Sequence, residues 1–304
     1  MSVTLPVEGE VLDIEEALSS GGEKRRRQIR PSVVIASVML FAIFALVAIF
    51  PFTPQYDAFT QDLSNARIPP FEDSSHLLGT DTLGRDMASR LSLATRTSLL
   101  VVGGALALNV VVGVILGLTA GYFGGWAETT IMGLADFQLS FPLMILLVTI
   151  IAVIGPSTVA LAVILGLAHW MGYGRVARAL ALSLRRREYV LAALTHGASS
   201  TWILRKHLLP QVVAPVAIMA SFDLGVLVVL ESSLSYLGLG VQPPTPSLGG
   251  MIQEGQRFLQ TEAWAALLPG LILFLLVAGV QILSQRFTSE LSGLRGSEGA
   301  AGTI

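Results

Sequence analysis

The chain has 304 residues, of which 53% are hydrophobic and 13% charged, with a formal net charge of −2 and a mean hydropathy of +0.69. A soluble domain carries about 25% charged residues, so this composition favours lipid as the solvent of much of the chain. The near-neutral charge gives no support to a nucleic-acid partner, and the absence of cysteine excludes disulfides, thiol catalysis and thiolate metal sites.

Residues 1–30 are polar and predict a cytoplasmic tail without fixed structure, with a short partner-binding helix at Val11–Leu18 as the alternative. Residues 31–51 predict the first transmembrane helix. The basic run Lys24–Arg27 before it resembles the start of a secretory signal. The apolar stretch is longer than such signals have, and no small-x-small cleavage site follows, so an uncleaved anchor is favoured.

Long blocks without charge set the number of membrane crossings. A hydrocarbon core of about 30 Å needs about 20 helical residues, and helices satisfy every backbone group where lipid offers no partner. One block is broken at Gly155-Pro156 and is long enough for two spans. The blocks are Ser32–Phe50, Thr97–Ala127, Phe137–Gly174, Ala263–Gln285 and His207–Leu230, the last of which is apolar apart from Asp223. The sequence therefore predicts an all-α integral membrane fold with six transmembrane helices.

The basic residues predict the orientation of these spans. Fourteen of the 19 lysines and arginines fall on the side of the two termini and five on the other, so both termini are predicted to be cytoplasmic. In this arrangement residues 52–95 form an outer loop with a short helix at Arg85–Leu93. Residues 96–287 form the core with five further spans, and residues 288–304 form a cytoplasmic tail.

Glycine and proline predict how the spans pack and bend. Gly113 and Gly117 form a small-xxx-small pair, which lets two membrane helices approach closely. The glycines between Gly121 and Gly125 predict a tight inner turn before the third span, and Pro142 predicts a kink within it.

Three acidic residues, Asp136, Asp223 and Glu231, lie in or near lipid depth. A charge at mid-bilayer costs at least about 2.5–3.5 kcal/mol, so such residues are expected to face protein or water rather than lipid. Two interpretations stay open for each, namely a structural hydrogen bond between helices or a place on a translocation path.

The segment 183–210, between the fourth and fifth predicted spans, is longer than a simple turn requires. Its apolar residues from Tyr189 to Leu194 recur at helical spacing, Gly197 permits a break, and Ser199 or Ser200 can cap a second helix. An amphipathic helix with basic flanks lies on a membrane surface or docks into a groove of a soluble partner.

This segment also resembles a known family pattern. Binding-protein-dependent ABC permeases carry E-A-A, three residues, G, nine residues, I, one residue and L-P in a cytoplasmic loop. Here residues 191–193 read Leu-Ala-Ala, and Gly197, His207 and Pro210 follow at the same spacing. Leu191 replaces the usual glutamate and His207 the usual isoleucine.

Four further stretches extend the resemblance from about residue 31 to residue 287. They are LLGTDTLGRDMASR, AGYFGGW, REYVLAALTHGAS and LSYLGLGVQPPTPSLGG. Together they are similar to the C-type permease subunit of dipeptide, oligopeptide and nickel ABC importers.

The resemblance implies a type I ABC importer permease that forms half of a transporter. A sister permease, two ATP-binding subunits and an extracytoplasmic solute-binding protein are the implied partners, and ATP and Mg are implied to bind the ATPase subunits alone. A helix seated in each ATPase is implied to couple nucleotide chemistry to the pore. The implied contact residues are Glu188, Tyr189, Ala192, Ala193, Gly197, Ala198 and Pro210.

No catalytic role or cofactor is expected for the chain itself. Its two lysines, Lys24 and Lys206, lie outside any phosphate-binding G-x-x-x-x-G-K-[ST] loop. The four histidines are spread over different segments, so neither a metal cluster nor an intramembrane enzyme is expected. Peptide import is the leading hypothesis, import of nickel or another small solute is the alternative, and an ion-driven secondary transporter is the hypothesis from another class.

Overall fold

The computed structural model describes residues 31–53 and 56–301, with side chains at 33–53 and 56–286; its regular elements are helices, and most of residues 56–86 form turns and loops. The predictions for the tail at residues 1–30, including the Val11–Leu18 helix, lie outside this part. The helices are α1 (Pro31–Ile49), α2 (Met87–Phe123), α3 (Gly125–Leu139), α4 (Leu143–Ile154), α5 (Thr158–Ala168), α6 (Met171–Leu184), α7 (Glu188–Thr195), α8 (Ser200–Ile203), α9 (Leu209–Tyr236), α10 (Leu248–Gly255) and α11 (Trp264–Ala301).

Within the described residues, five helical segments are long and apolar enough to cross a membrane. They are Val33–Phe52, Met87–Phe123, Thr158–Leu184, Ser200–Tyr236 and Trp264–Arg286. A sixth crossing exists if α3 and α4, which meet at 92°, count as one broken span. The prediction of six spans thus holds with the third one sharply broken.

The break between α3 and α4 is larger than the kink expected at Pro142. Pro142 has extended backbone dihedrals (φ −58°, ψ 123°) and precedes the first residue of α4 instead of lying inside a helix. Proline also disfavours the helical region for the residue before it, so Phe141 is excluded from a continuous helix.

The second span is longer than the sequence suggests. The Asp86 carboxylate caps α2 by accepting a hydrogen bond from the Ser89 amide at 2.7 Å. No glycine or proline lies between Leu93 and Thr97, so the residues predicted as a separate surface helix form the outer end of α2. At the other end the turn uses Gly124 and Gly125 at positive φ, whereas Gly121 lies inside α2.

Helix α2 is the central helix because glycines let α6 approach it closely. A Cβ added to Gly113 would lie 2.6 Å from the Trp170 carbonyl oxygen, and one added to Gly117 would lie 2.8 Å from the Ala177 Cβ. The small-xxx-small pair therefore marks the α2–α6 contact, as its spacing predicts.

The fifth and sixth spans also depart from their predicted ends. Helix α8, the π-helical turn Leu204–Leu208 and α9 form one continuous segment, which ends at Tyr236 instead of Leu230. Helix α11 continues to Ala301, past the predicted start of a tail at residue 288. The Ser284 hydroxyl on α11 donates to the Ser221 carbonyl oxygen on α9 at 2.6 Å, which joins these two spans.

Candidate functional site

The segment between α6 and α9 is a compact helix–turn–helix. Helix α7 ends in Gly197 at φ +78°, where the Gly197 amide donates to the Leu194 carbonyl and the Ala198 amide to the Ala193 carbonyl, both at 3.0 Å. These two bonds form a Schellman motif, which explains why glycine is needed there. The Ser199 hydroxyl then caps α8 by accepting from the Trp202 amide at 3.3 Å.

Buried apolar side chains anchor this helix–turn–helix to the membrane core. Val190 from α7, Ile203 from α8 and Leu208 are fully buried. They belong to one cluster with Ala181 of α6 and Val212 of α9. Because the anchors contact two different spans, a displacement of α7 is transmitted to both.

The opposite surface of the helix–turn–helix is exposed. Four large apolar side chains are each 43–48% exposed, namely Tyr189, Leu191, Leu194 and Trp202. Of the residues expected to contact an ATPase, Ala193 and Ala198 are half-buried and the remainder are exposed, namely Glu188, Tyr189, Ala192, Gly197 and Pro210. The structure therefore brings all seven onto one short segment, whose buried side carries Val190, Ile203 and Leu208.

An aromatic cluster that the sequence did not predict joins α7 to the start of the fifth span. The His207 ring lies between Tyr189 and Trp202, with centroid distances of 5.5 and 4.9 Å. His207 occupies the position at which the family pattern has isoleucine, and here its imidazole takes the place of that aliphatic contact. The spacing of the three residues gave no signal of this contact.

The membrane-depth acids have separate surroundings. Asp136 on α3 accepts from Arg175 of α6 at 2.6 Å, with 67% and 52% of the two side chains exposed. About two turns earlier on α3, Glu128 is paired with Arg178, whose Nε donates at 2.7 Å. Charged pairs of this exposure at membrane depth must face protein or water rather than lipid.

Asp223 on α9 faces the junction between α5 and α6. Its Oδ2 lies 3.6 Å from Nε2 of His169, and the two side chains are 19% and 32% exposed. Tyr173 also faces this carboxylate from α6 and is fully buried. Asp223 is therefore half-buried at an open edge of the α6–α9 contact.

Glu231 lies two turns further along α9 and is fully buried. Its carboxylate accepts from the Ser235 hydroxyl at 2.8 Å and lies 3.3 Å from that of Ser232. The neighbouring Ser98 of α2 faces it as well. These hydroxyls place Glu231 at a contact between α2 and α9.

The face predicted to be the outer one carries a buried charge network that the sequence did not predict. Arg90 is 3% exposed, pairs with Asp81 and donates to Glu254 of α10 at 2.8 Å. Arg85 adds a second contact to Asp81 at 2.7 Å. The GTDTLGRD stretch supplies two of these four groups, Asp81 and Arg85, and its glycines at positive φ allow the loop to fold around Asp81.

Nearby serine hydroxyls lower the pKa values of two exposed acids in the loop between α1 and α2. A hydrogen bond from the Ser64 hydroxyl lowers the pKa of Asp62, and one from the Ser75 hydroxyl lowers the pKa of Asp73. Both carboxylates accept neighbouring amides too, at 2.9–3.0 Å, so they stabilise turns in their ionised form.

The broken third span, the close α2–α6 contact and the anchored helix–turn–helix define a multi-pass helical membrane protein. Residues 113–292 match the family described as "Binding-protein-dependent transport system inner membrane component". The chain belongs to this family.

Curated relatives cover most of the chain. It is 35% identical over 253 residues to the nickel transport system permease protein NikC of Escherichia coli (strain K12), which covers 82% of this chain and 91% of the relative. It is 32% identical to the dipeptide transport system permease protein DppC of Alkalihalophilus pseudofirmus and 33% identical to the oligopeptide transport system permease protein OppC of Haemophilus influenzae. In both cases 86% of this chain and 84% of the relative are covered.

A solved structure confirms the fold. The inward-facing MetNI methionine ABC transporter contains a chain that matches with a TM-score of 0.52 and 21% identity, over 67% of this chain and 97% of that one. The fold is that of a type I ABC importer permease, and the family and fold expected from the sequence are both confirmed.

Proposed function

We propose that this chain is the permease subunit of an ATP-driven ABC importer and forms half of the translocation pathway for peptides across the cell membrane. The observation that carries the proposal is the helix–turn–helix of α7 and α8. It is held to two spans by Val190 and Ile203 and presents an exposed apolar surface away from the core.

The anchoring gives this surface a mechanical use. An ATPase subunit that binds α7 and closes on ATP would move α7 as a rigid body, because the Schellman turn and the buried anchors leave it no independent motion. The movement would tilt α6 and α9 together and open the path to alternate sides of the membrane. Glu188, Tyr189, Ala192 and Gly197 are the exposed contact residues in this proposal.

The proposed assembly contains a sister permease, two ATP-binding subunits and an extracytoplasmic solute-binding protein. ATP and Mg bind the ATPase subunits, and this chain is a non-catalytic subunit without a cofactor of its own. Both termini lie in the cytoplasm, which places α7 on the side where ATP is available. The relatives are transport permease subunits, which supports assigning ATP binding and hydrolysis to the other subunits.

Peptides are the proposed cargo, with nickel or another small solute as the alternative. The relatives carry dipeptides, oligopeptides, nickel and, in one case, glutathione in their names. Asp136 is exposed and Asp223 is partly exposed, and we propose both as residues of the translocation path. Glu231 is surrounded by serine hydroxyls, which favours a structural hydrogen bond between helices for that residue.

The test uses the absence of cysteine from the chain. A single cysteine at Ala192, introduced into the complete transporter, is reacted with a bifunctional maleimide, and cross-linked partners are identified by mass spectrometry. We expect a cross-link to an ATP-binding subunit, and uptake that needs ATP and survives an ionophore. A cysteine at Phe71, which is 80% exposed on the outer loop, is the matched control and should not reach an ATPase.

Two results would overturn the proposal. A cysteine at Ala192 that reacts with impermeant reagents from outside intact cells would place α7 on the wrong side. Uptake abolished by the ionophore but independent of ATP would identify a secondary transporter instead.

A further inference from the structure

The junction between α5 and α6 forms a polar recess against α9. The helical path is interrupted at His169 and Trp170, and the interruption turns the His169 ring toward Asp223. His169 lies 11 residues after Thr158 and Asp223 lies 13 residues before Tyr236, which are depths of about 16 and 20 Å from those outer helix ends. Both groups are therefore well inside a hydrocarbon core of about 30 Å.

Three polar groups converge on the recess, and none of their mutual contacts has the geometry of a standard hydrogen bond. His169 Nε2 and Asp223 Oδ2 are 3.6 Å apart, beyond the 2.7–3.2 Å of an N–H···O bond. The Tyr173 hydroxyl is buried and interacts with the same carboxylate, without a hydrogen bond of standard geometry to any described residue. A buried hydroxyl without a well-formed hydrogen bond is unfavourable, so a further polar group in the recess would stabilise it.

The recess opens at an exposed edge. Gly172 is exposed one turn from His169, and a Cβ at this position would lie 3.5 Å from the Met219 methyl group of α9. A small side chain therefore fits at this position beside α9. The neighbouring charges on this face, Arg175 and Asp136, are paired with each other at 2.6 Å and leave the Asp223 charge uncompensated.

The arrangement of Asp223, His169 and Tyr173 determines which chemical group of a cargo can bind between them. A neutral imidazole, a phenolic oxygen and a carboxylate can each accept a hydrogen bond, and a primary ammonium has three donors. Its nitrogen can lie within about 2.9 Å of both Asp223 and His169, because these are only 3.6 Å apart. A bare divalent cation fits poorly, since no group of three His, Cys, Asp or Glu side chains able to hold a metal occurs in the described part of the chain.

We propose that Asp223, His169 and Tyr173 form a transient site on the translocation path that receives the primary ammonium group of the cargo. The inference rests on the proposed function and narrows it toward peptides with a free amino terminus. The site lowers the cost of moving this charge through the membrane by exchanging its hydration for one carboxylate and two neutral acceptors.

The first test measures the electrostatic potential at the recess. The variant Gly172→Cys in the assembled transporter is reacted with two methanethiosulfonates of similar size, one a quaternary ammonium and the other a sulfonate, and modification of this chain is followed by mass spectrometry. We expect the cationic reagent to react about tenfold faster relative to the anionic one than it does with free cysteine, as a carboxylate within a few Å requires.

Addition of Asp223→Asn should remove most of that preference. The matched control Asp62→Asn removes the same charge from the exposed outer loop and should leave the preference unchanged. Failure of both reagents to reach residue 172, or a preference that survives Asp223→Asn, would overturn the proposal.

The second test measures transport of a named cargo. Uptake of radiolabelled dialanine is compared in the complete transporter with wild-type chain, Asp223→Asn and the charge-retaining Asp223→Glu, after binding of dialanine to the solute-binding protein has been measured separately. We expect the asparagine variant to lose most uptake and the glutamate variant to regain part of it. Wild-type uptake with equal uptake by Asp223→Asn would refute the ammonium site alone. Absence of ATP-dependent uptake in the wild type, although the solute-binding protein binds dialanine, would refute the proposed function.

Discussion

The amide nitrogen of Ala198 lies 3.0 Å from the carbonyl oxygen of Ala193, and this bond closes the turn that fixes α7 against α8. The turn requires Gly197 at φ +78°, a conformation that costs a residue with a side chain about 1–2 kcal/mol. A Cβ at Gly197 would nevertheless meet no atom within 4 Å. The space beside Gly197 is thus open within the chain and available to a partner.

The first prediction concerns Gly197→Leu. We expect membrane insertion to be kept and ATP turnover to be uncoupled from import, because the leucine side chain occupies space that the proposed ATPase contact needs. The measurements are expression, ATP hydrolysis and uptake in the complete transporter. Gly238→Leu is the matched control, since Gly238 also has φ +78° and open space but lies beyond α9. Equal uptake by the two variants would argue against the contact.

The second prediction concerns the contact between α2 and α6. Gly117→Ala should destabilise the isolated chain by about 1–3 kcal/mol, because the new methyl group would lie 2.8 Å from the Ala177 Cβ and even closer to the Gly174 carbonyl oxygen. Gly104→Ala on the same helix, with nothing within 4 Å, should be neutral or slightly stabilising. Thermal unfolding in detergent compares them, and equal midpoints would contradict the packing described for α2.

The elements that could be predicted from sequence depend on local patterns. Long uncharged blocks identify the spans because lipid excludes charge over about 20 consecutive residues. Glycine spacing identifies the α2–α6 contact because Gly113 and Gly117 are one turn apart, and Gly197 identifies the turn because few other residues adopt its dihedrals.

The remaining features depend on which helices become neighbours. The approach of His169 to Asp223 joins different spans, and the contact of Arg90 with Glu254 joins α2 to an outer helix. A single sequence contains no signal for such pairs, because many arrangements of six helices bury the same apolar blocks. The full break at Pro142 has a similar origin, since proline limits the local backbone and the packing of α4 sets the 92° angle.

The third prediction decides the role of Glu231. Glu231→Leu should destabilise the chain by about 1–3 kcal/mol, because it leaves the buried Ser235 hydroxyl without its acceptor. Glu231→Gln keeps an acceptor oxygen and should cost less. Expression and thermal unfolding of both variants are compared with uptake. Loss of uptake by Glu231→Gln at unchanged stability would restore the path interpretation for this residue.

The fourth prediction concerns the outer charge network. Arg90→Gln removes a guanidinium that is 3% exposed and that pairs with both Asp81 and Glu254. The Asp81 carboxylate then stays buried with Arg85 as its remaining basic partner, and breaking a buried pair in this way costs about 3 kcal/mol. Arg257→Gln removes the same charge from an exposed position of the same outer face and should cost far less. Unfolding midpoints of the two purified variants provide the measurement. If they are equal, the network does not hold α10 to α2, and the outer loop must be fixed by the turns at Gly79 and Gly84 alone.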